Sequence, residues 1–189
     1  KDAAVRMTRA ARVSAENMYD HFGVSAYAYT GDWDESRTTP NYFYNATASK
    51  SGSDYTLSSA YYWPGASYKM RFFAYAPKGN ARYVFSGQGQ AGSPSISVTV
   101  PEEVSQQEDL LVARSSELGG NSNTAVTLTF NHALTAVRFV CGNDMRGGTV
   151  KSVSLKNVYS KGTYNMGTQT WSDLDTPATF SQTLDKVTT

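Results

Sequence analysis

The chain has one cysteine, two histidines, almost no excess of charge and no run of about 18 apolar residues, and each shortage excludes something. A single thiol cannot close an internal disulfide. Cys141 follows the apolar stretch Val137-Arg138-Phe139-Val140 and reads as a buried, inert thiol rather than a nucleophile. His21 and His132 lie apart from any cysteine or carboxylate cluster in sequence, so neither a zinc cage nor a hydrolase base is spelled out. In Phe130-Asn131-His132-Ala133 the histidine is expected to be a structural turn residue that packs or bonds locally; two or more carboxylates or histidines meeting either one in a cleft would count against this. No apolar run is long enough for a membrane-crossing helix, and no charged-then-apolar leader opens the chain. The protein is therefore expected either to be cytosolic or to have had an export signal removed or left off. Seventeen basic residues against sixteen acidic leave +1, which argues against a nucleic-acid partner.

Catalytic grammar is equally scarce. Gly87-Gln88-Gly89 and Gly119-Gly120 do not join a strand to a helix, so they make poor phosphate loops. Asp32-Trp33-Asp34-Glu35-Ser36 opens like a calcium loop, but Arg37 stands where the loop needs glycine and Phe43 where it needs a bidentate glutamate. A solvated acidic loop is the better reading. The chain is expected not to be an enzyme, with no catalytic residue, cofactor or metal. Asn45-Ala46-Thr47 fits an N-glycosylation triplet, a pattern too common to carry weight alone.

What is present is the period of a strand. A 13% aromatic content suits a sheet protein. After Tyr61-Tyr62-Trp63-Pro64-Gly65, Met70, Phe72, Ala74 and Ala76 alternate with Lys69, Arg71, Phe73 and Tyr75, which predicts a strand with one buried face. Further strands are predicted at 22–29, 41–46, 55–57, 95–100, 110–113, 124–130, 133–141 and 150–159, with polar connections at 31–40, 49–54 and 86–94. Only 14–21, with Ser14 as cap, would make a short turn of helix. The tail 167–189 is rich in Thr, Asp and Ser around Trp171 and Phe180 and would close the domain or lead onward. Short strands without crossover helices predict an all-β antiparallel sandwich or barrel. A chain of 189 residues suits one domain and buries about 70% of its unfolded surface without a staple. The expected core is Val24, Ala26, Met70, Phe72, Ala74, Val98, Val126, Leu128, Phe130, Val137, Phe139, Val153 and Leu155. Trp33, Tyr42, Tyr44, Tyr61 and Tyr62 would either stack on sugar rings or pack on a sheet face.

Tyr62-Trp63-Pro64 followed by Phe72-Phe73-Ala74-Tyr75-Ala76-Pro77 is similar to the YWP and FxAYxP signature of the fimbrillin family, the Bacteroidales type V pilins and their lipoprotein relatives. Gln107-Glu108-Asp109-Leu110-Leu111-Val112-Ala113 resembles its DLL segment. The stretch from Val126-Thr127-Leu128-Thr129-Phe130 through His132-Ala133-Leu134 to Val137-Arg138-Phe139 resembles its VxLxFxHALxxVxF strand pair. Val153-Ser154-Leu155-Lys156-Asn157-Val158-Tyr159 with Lys161-Gly162-Thr163-Tyr164 resembles IxLxNVYxKGTY, and Thr8-Arg9-Ala10 is in the family's style. These segments stand in the family's order across most of the chain.

The resemblance implies a transthyretin-like antiparallel β-sandwich, the N-terminal half of a two-domain pilin. It implies export as a lipoprotein, cutting after an arginine by a trypsin-like protease, and polymerisation at the cell surface by donor-strand exchange. Its partners would be other fimbrial subunits, head to tail, the Arg-specific protease, and host or bacterial surface ligands. Membrane contact would come only through a lipid anchor. No lipidated cysteine precedes residue 1, so that anchor and the C-terminal domain are expected to lie outside this chain. Residues 1–13 are then the detachable segment and 14–189 the sandwich. A sandwich that gives up a strand exposes unpaired edges and an apolar groove. Val5 and Met7 point one way in Ala4-Val5-Arg6-Met7-Thr8 and suit such a groove, and Arg6, Arg9 and Arg12 are protease sites, Arg9 first and Arg12 second. An ordinary solvated terminus fits the same residues. The alternative function is a non-polymerising surface lipoprotein that binds carbohydrate through the aromatics named above. A row of exposed aromatics on one sheet face would favour sugar; a long apolar groove beside the N-terminal segment would favour the pilin.

Overall fold

The computed structural model describes residues 13–14, 16–139 and 148–188. Val5, Arg6, Met7, Arg9, Arg12 and Cys141 therefore lie outside the described residues. The strands are β1 (His21–Tyr29), β2 (Phe43–Ser51), β3 (Asp54–Leu57), β4 (Lys69–Ala76), β5 (Tyr83–Phe85), β6 (Ser95–Thr99), β7 (Leu111–Arg114), β8 (Leu118–Gly119), β9 (Asn131–His132), β10 (Gly148–Asn165) and β11 (Thr170–Thr188). A single 3-10 turn, Val104–Gln106, is the one helical element among the described residues. The first sheet runs β3-β2-β1-β4-β7-β9, with β8 also on β4, and the second runs β11-β10-β6-β5. Every pairing is antiparallel, and the fold is the antiparallel β-sandwich expected from the alternating pattern.

The centre of the first sheet is built from β1 and β4. Their apolar residues alternate so regularly that the register is fixed, with Val24 opposite Ala74, Ala26 opposite Phe72 and Ala28 opposite Met70. One face of this sheet carries Phe22, Val24, Ala26, Met70, Phe72 and Ala74, covered by Val13, Trp63, Leu118, Val126, Leu128 and Phe130. The other face carries Tyr27, Phe73, Tyr75 and Val112, which pack on Tyr83, Ile96, Val98, Tyr164 and Met166 of the second sheet. The expectation that β4 buries one face is corrected. Phe73 is 2% exposed and Tyr75 3%, because β4 is a central strand with a layer on each side.

Two predicted strands are absent among the described residues. Residues 124–130 and 133–139 form no ladder beyond Asn131–His132, which pair with Val112 and Leu111. Their apolar residues are satisfied by packing instead. Val126, Leu128 and Phe130 lie on one face of the first sheet, while Ala133 and Leu134 lie on the other, so the chain passes round its edge at β9. Val24, Ala26, Met70, Phe72, Ala74 and Val98 are buried as expected, but Val126, Leu128, Phe130, Phe139, Val153 and Leu155 are only half-buried. Val137 is exposed, on the lining of a groove open to solvent. Nor does 14–21 form a helix: one turn closes from Asn17 N–H to Ser14 O, and β1 begins at His21.

A bulge in β2 shapes the entry to the sandwich. Asn45 adopts φ 44°, and the β1–β2 register slips between Val24 and Ala26. Asn45 N–H donates to Ser25 Oγ at 2.8 Å, and its Oδ1 accepts from Tyr75 Oη at 3.2 Å. Lys78 Nζ donates to Asn45 O at 2.5 Å and to Thr47 Oγ1 at 2.7 Å. Burial pulls the Lys78 ammonium below its ordinary pKa.

Candidate functional site

The second sheet is longer than the first can cover. β10 pairs with β6 only from Lys161 to Asn165, whereas it pairs with β11 from Gly148 to Asn165. The rest of this β10–β11 hairpin stands out from the sandwich and forms one wall of an apolar groove of about 770 Å³. Leu155, Val158, Trp171 and Phe180 line that wall, and Val98, Val100, Val104, Leu134, Val137 and Phe139 complete the lining. The wall keeps one face despite its length because Asn157, at φ 58°, is an inserted residue: Lys156 pairs with Thr179 and Val158 with Ala178. The bulge brings Val158 to the same side as Leu155. Tyr159 and Leu174 on the rim are 54% and 50% exposed, so the groove opens to solvent there.

A polar hub closes one end. His132 Nδ1 lies 2.7 Å from Asp109 Oδ2, and the same oxygen accepts from Val13 N–H at 3.2 Å. Asp109 O accepts from Tyr19 Oη at 2.8 Å, and Tyr19 O accepts from Tyr55 Oη. Burial, and then the charges of Glu108 and Asp109, push the Tyr19 phenol up to about 12. The hub thus fastens the root of the N-terminal segment to the rim of the groove. The expectation of a local bond at His132 is corrected, because its partner lies 23 residues away. The expectation that the histidines stay apart from carboxylates is corrected as well, since Glu108 and Asp109 both line the groove with His132. Glu108 itself accepts from Asn80 Nδ2, which turns its carboxylate to another partner. Asp109 Oδ2 is shared between a ring nitrogen and a main-chain N–H, which is the bonding of a clamp. Among the described residues no three His, Cys, Asp or Glu side chains gather as a metal would need.

The five aromatics proposed as sugar platforms fall in separate places. Trp33 sits among Tyr27, Tyr29 and Phe73 at 5.3–6.0 Å between centroids, under the Arg71 guanidinium at 4.8 Å. Tyr44 donates to Ser86 O and packs on Phe85. Tyr42 and Tyr61 do meet, at 6.0 Å, and Tyr62 beside them in sequence is 82% exposed. The acidic loop also has structural work. Glu35 accepts from Trp33 Nε1, Ser93 N–H and Ser93 Oγ, joining the 31–40 and 86–94 connections. Burial raises the Glu35 carboxyl's pKa, but the Ser93 and Trp33 donors and Arg71 outweigh it and hold the carboxyl below its ordinary value.

Residues 8–189 match the family described as fimbrillin-like. A fimbrium subunit of Phocaeicola vulgatus, Fim1C, is 24% identical over 148 residues, covering 69% of this chain and 39% of that protein. The crystal structure of a fimbrial protein from Bacteroides vulgatus is similar in fold, with TM-score 0.62 and 20% identity over 86% of this chain and 57% of that one. The chain therefore spans less than two thirds of either relative's length.

Proposed function

The chain belongs to the fimbrillin-like family, and from that premise we propose that it is a structural subunit of a cell-surface fimbrium, joined to its neighbours by exchange of a strand. The observation that carries the reading is the open apolar groove with the root of the N-terminal segment clamped at its rim. In this scheme Val5 and Met7 seat in the groove until a trypsin-like protease cuts after Arg9 or Arg12. Release would leave unpaired backbone groups beside apolar surface, and both favour a replacement strand. That strand comes from a part of the adjacent subunit beyond these 189 residues, giving a head-to-tail contact that repeats without closing. The transthyretin-like arrangement and the lipid anchor implied by the resemblance belong to the same scheme. A catalytic role is no part of it.

Digestion of the full-length protein with a trypsin-like protease, followed by sizing, tests the scheme. Polymer ladders that require the cut, and vanish when Arg9 and Arg12 are both changed to Ala, support it. A well-behaved monomer after complete cutting overturns it and moves carbohydrate binding at the tyrosines ahead.

A further inference from the structure

Asp109 holds more than a histidine. Its Oδ2 lies 2.7 Å from His132 Nδ1 of β9 and 3.2 Å from the main-chain nitrogen of Val13. The Val13 side chain is buried in the core cluster of the first sheet, so packing and hydrogen bonding together fix where that nitrogen stands. The carboxylate is shielded too, with its side chain 13% exposed. Glu108, next to it in the chain, adds a second negative charge. The Tyr19 and Tyr83 phenols donate to the main-chain oxygens of Asp109 and Glu108. His132, and Arg82 beside Tyr83, supply the positive side. The residue before Val13 is Arg12. A neutral N–H is therefore held against a carboxylate at the one atom that becomes charged when the chain is cut after that arginine.

We infer that Arg12–Val13 is the processing bond and that Asp109 is the receptor for the amino terminus its hydrolysis creates. A trypsin-like protease puts the oxygen of water on the Arg12 carbonyl carbon, which departs as a carboxylate with residues 1–12. The Val13 nitrogen keeps its own hydrogen and takes two more from the water, becoming an ammonium. The bond has to leave Asp109 to be cut, and the return is stronger than the departure was. The amide offered a neutral donor, whereas the ammonium offers a donor with a full charge, and salt screens a shielded pair only weakly. Ser14 beside it is exposed, so water takes the hydrogens that Asp109 does not. A cut after Arg9 leaves Ala10-Ala11-Arg12 on the chain and the Val13 nitrogen an amide, so it gains none of this. Asp109 leads through Leu110 into β7, and His132 of β9 pairs with Leu111, so the captured terminus fastens both strands as the N-terminal segment leaves. The inference rests on the proteolytic processing proposed above, but the capture itself needs no filament.

Two variants of the full-length protein separate the cuts: Arg9→Ala, which keeps Arg12, and Arg12→Ala, which keeps Arg9. Each is digested with a trypsin-like protease, the new terminus is identified by intact mass, and its titration is followed by competitive acetylation. The Val13 terminus should hold its proton to about pH 9 or above, while the Ala10 terminus should titrate at the ordinary ~7.7–8.0. Acetylation of Val13 at pH ~8 is then slower than that of Ala10 by about 5-fold or more. Stability carries the same sign. An amine whose pKa is raised by folding stabilises fully below the unfolded value of about 8, and the gain is lost as pH rises through the folded value. Only the Val13 product should lose melting temperature across that interval. Asp109→Asn keeps an acceptor but removes the charge, and should return Val13 to the Ala10 value; if that variant does not fold, the comparison of the two termini decides alone. Equal midpoints for Val13 and Ala10 overturn the inference, and so does an Arg9→Ala protein whose Arg12–Val13 bond resists the protease. A captured Val13 in a product that forms no ladder upholds the capture and overturns only the filament.

Discussion

Gly23→Ala is the sharpest probe of how the two sheets fit. A methyl carbon at this position would lie 2.5 Å from Tyr75 Cε1 and 2.7 Å from Asn45 Oδ1, well inside contact distance. The Tyr75 ring has no room to retreat. It stacks on Phe85 with centroids 4.9 Å apart and planes 8° from parallel, and its hydroxyl bonds Asn45 Oδ1. Forcing an extra carbon into such packing costs about 1–3 kcal/mol. Loss of the hydroxyl's hydrogen bond adds about 1 kcal/mol. Stiffening of the unfolded chain returns about 0.4–1 kcal/mol, so the net destabilisation is about 2 kcal/mol. In a domain of this size that lowers the melting temperature by about 4–8 °C. Gly87→Ala is the matched control, because nothing lies within 4 Å of the added carbon and the substitution should stay within about 0.5 kcal/mol. Both variants are to be melted by circular dichroism beside the parent. Equal midpoints for the two alanines would refute the account of the Tyr75 clasp.

Phe72→Ala should cost about 3–5 kcal/mol, since the ring is buried against Phe43 and Trp63 at 6.2 and 6.3 Å; a urea midpoint that does not move would contradict this. Alkali should unfold the protein through its tyrosines. Burial first, and then nearby negative charge, raises Tyr27 and Tyr83 far above the ordinary phenol value, and burial with the Glu117 bond takes Tyr29 to about 12. A folded pKa above the unfolded value of about 10 means that this stabilisation is complete below pH ~10 and is lost as pH rises through the folded values. Phenolate absorbance should therefore finish rising only as the fold is lost; completion near pH ~10 with the sandwich intact would refute it.

β1, β4 and β6 were legible to within a residue or two because in each the apolar alternation and the ladder coincide, and β7 because a short continuous apolar run, Leu110 to Ala113, marks it. β11 was not. Its Thr, Asp and Ser residues carry no clean period, Pro177 interrupts it, and Asp173 and Thr176 take left-handed φ values that reset the alternation. As an edge strand it is defined by the neighbour it pairs with rather than by a face it buries. The reverse error fell at 124–139, where a strand pattern packs round the edge of a sheet without a ladder. Period alone cannot distinguish these, because packing and pairing place the same demand on alternate side chains. The family resemblance carried the expectation of a groove beside the N-terminal segment, but not the walls of the groove at the β10–β11 hairpin. They depend on how far the β10–β11 hairpin overshoots β6 and on a bulge at Asn157, which no local signal announces. The His132–Asp109 clamp was missed for a simpler reason: long-range side-chain bonds leave no periodic trace.

The bulge at Asn45 bears on the order of events in the life of the chain. The triplet Asn45-Ala46-Thr47 would be an acceptor for an N-linked sugar if a transferase could draw it out as a flexible loop. In the folded protein it is an interior brace: the amide oxygen of Asn45 holds Tyr75, its main-chain N–H holds Ser25, and Lys78 spans its carbonyl and the Thr47 hydroxyl. The Asn45 amide oxygen and the Thr47 hydroxyl, two groups by which a glycosylating enzyme would read the triplet, are in use. A chain in which β2 has not yet paired with β1 would offer both freely, so the triplet is most open to a transferase before the sandwich forms.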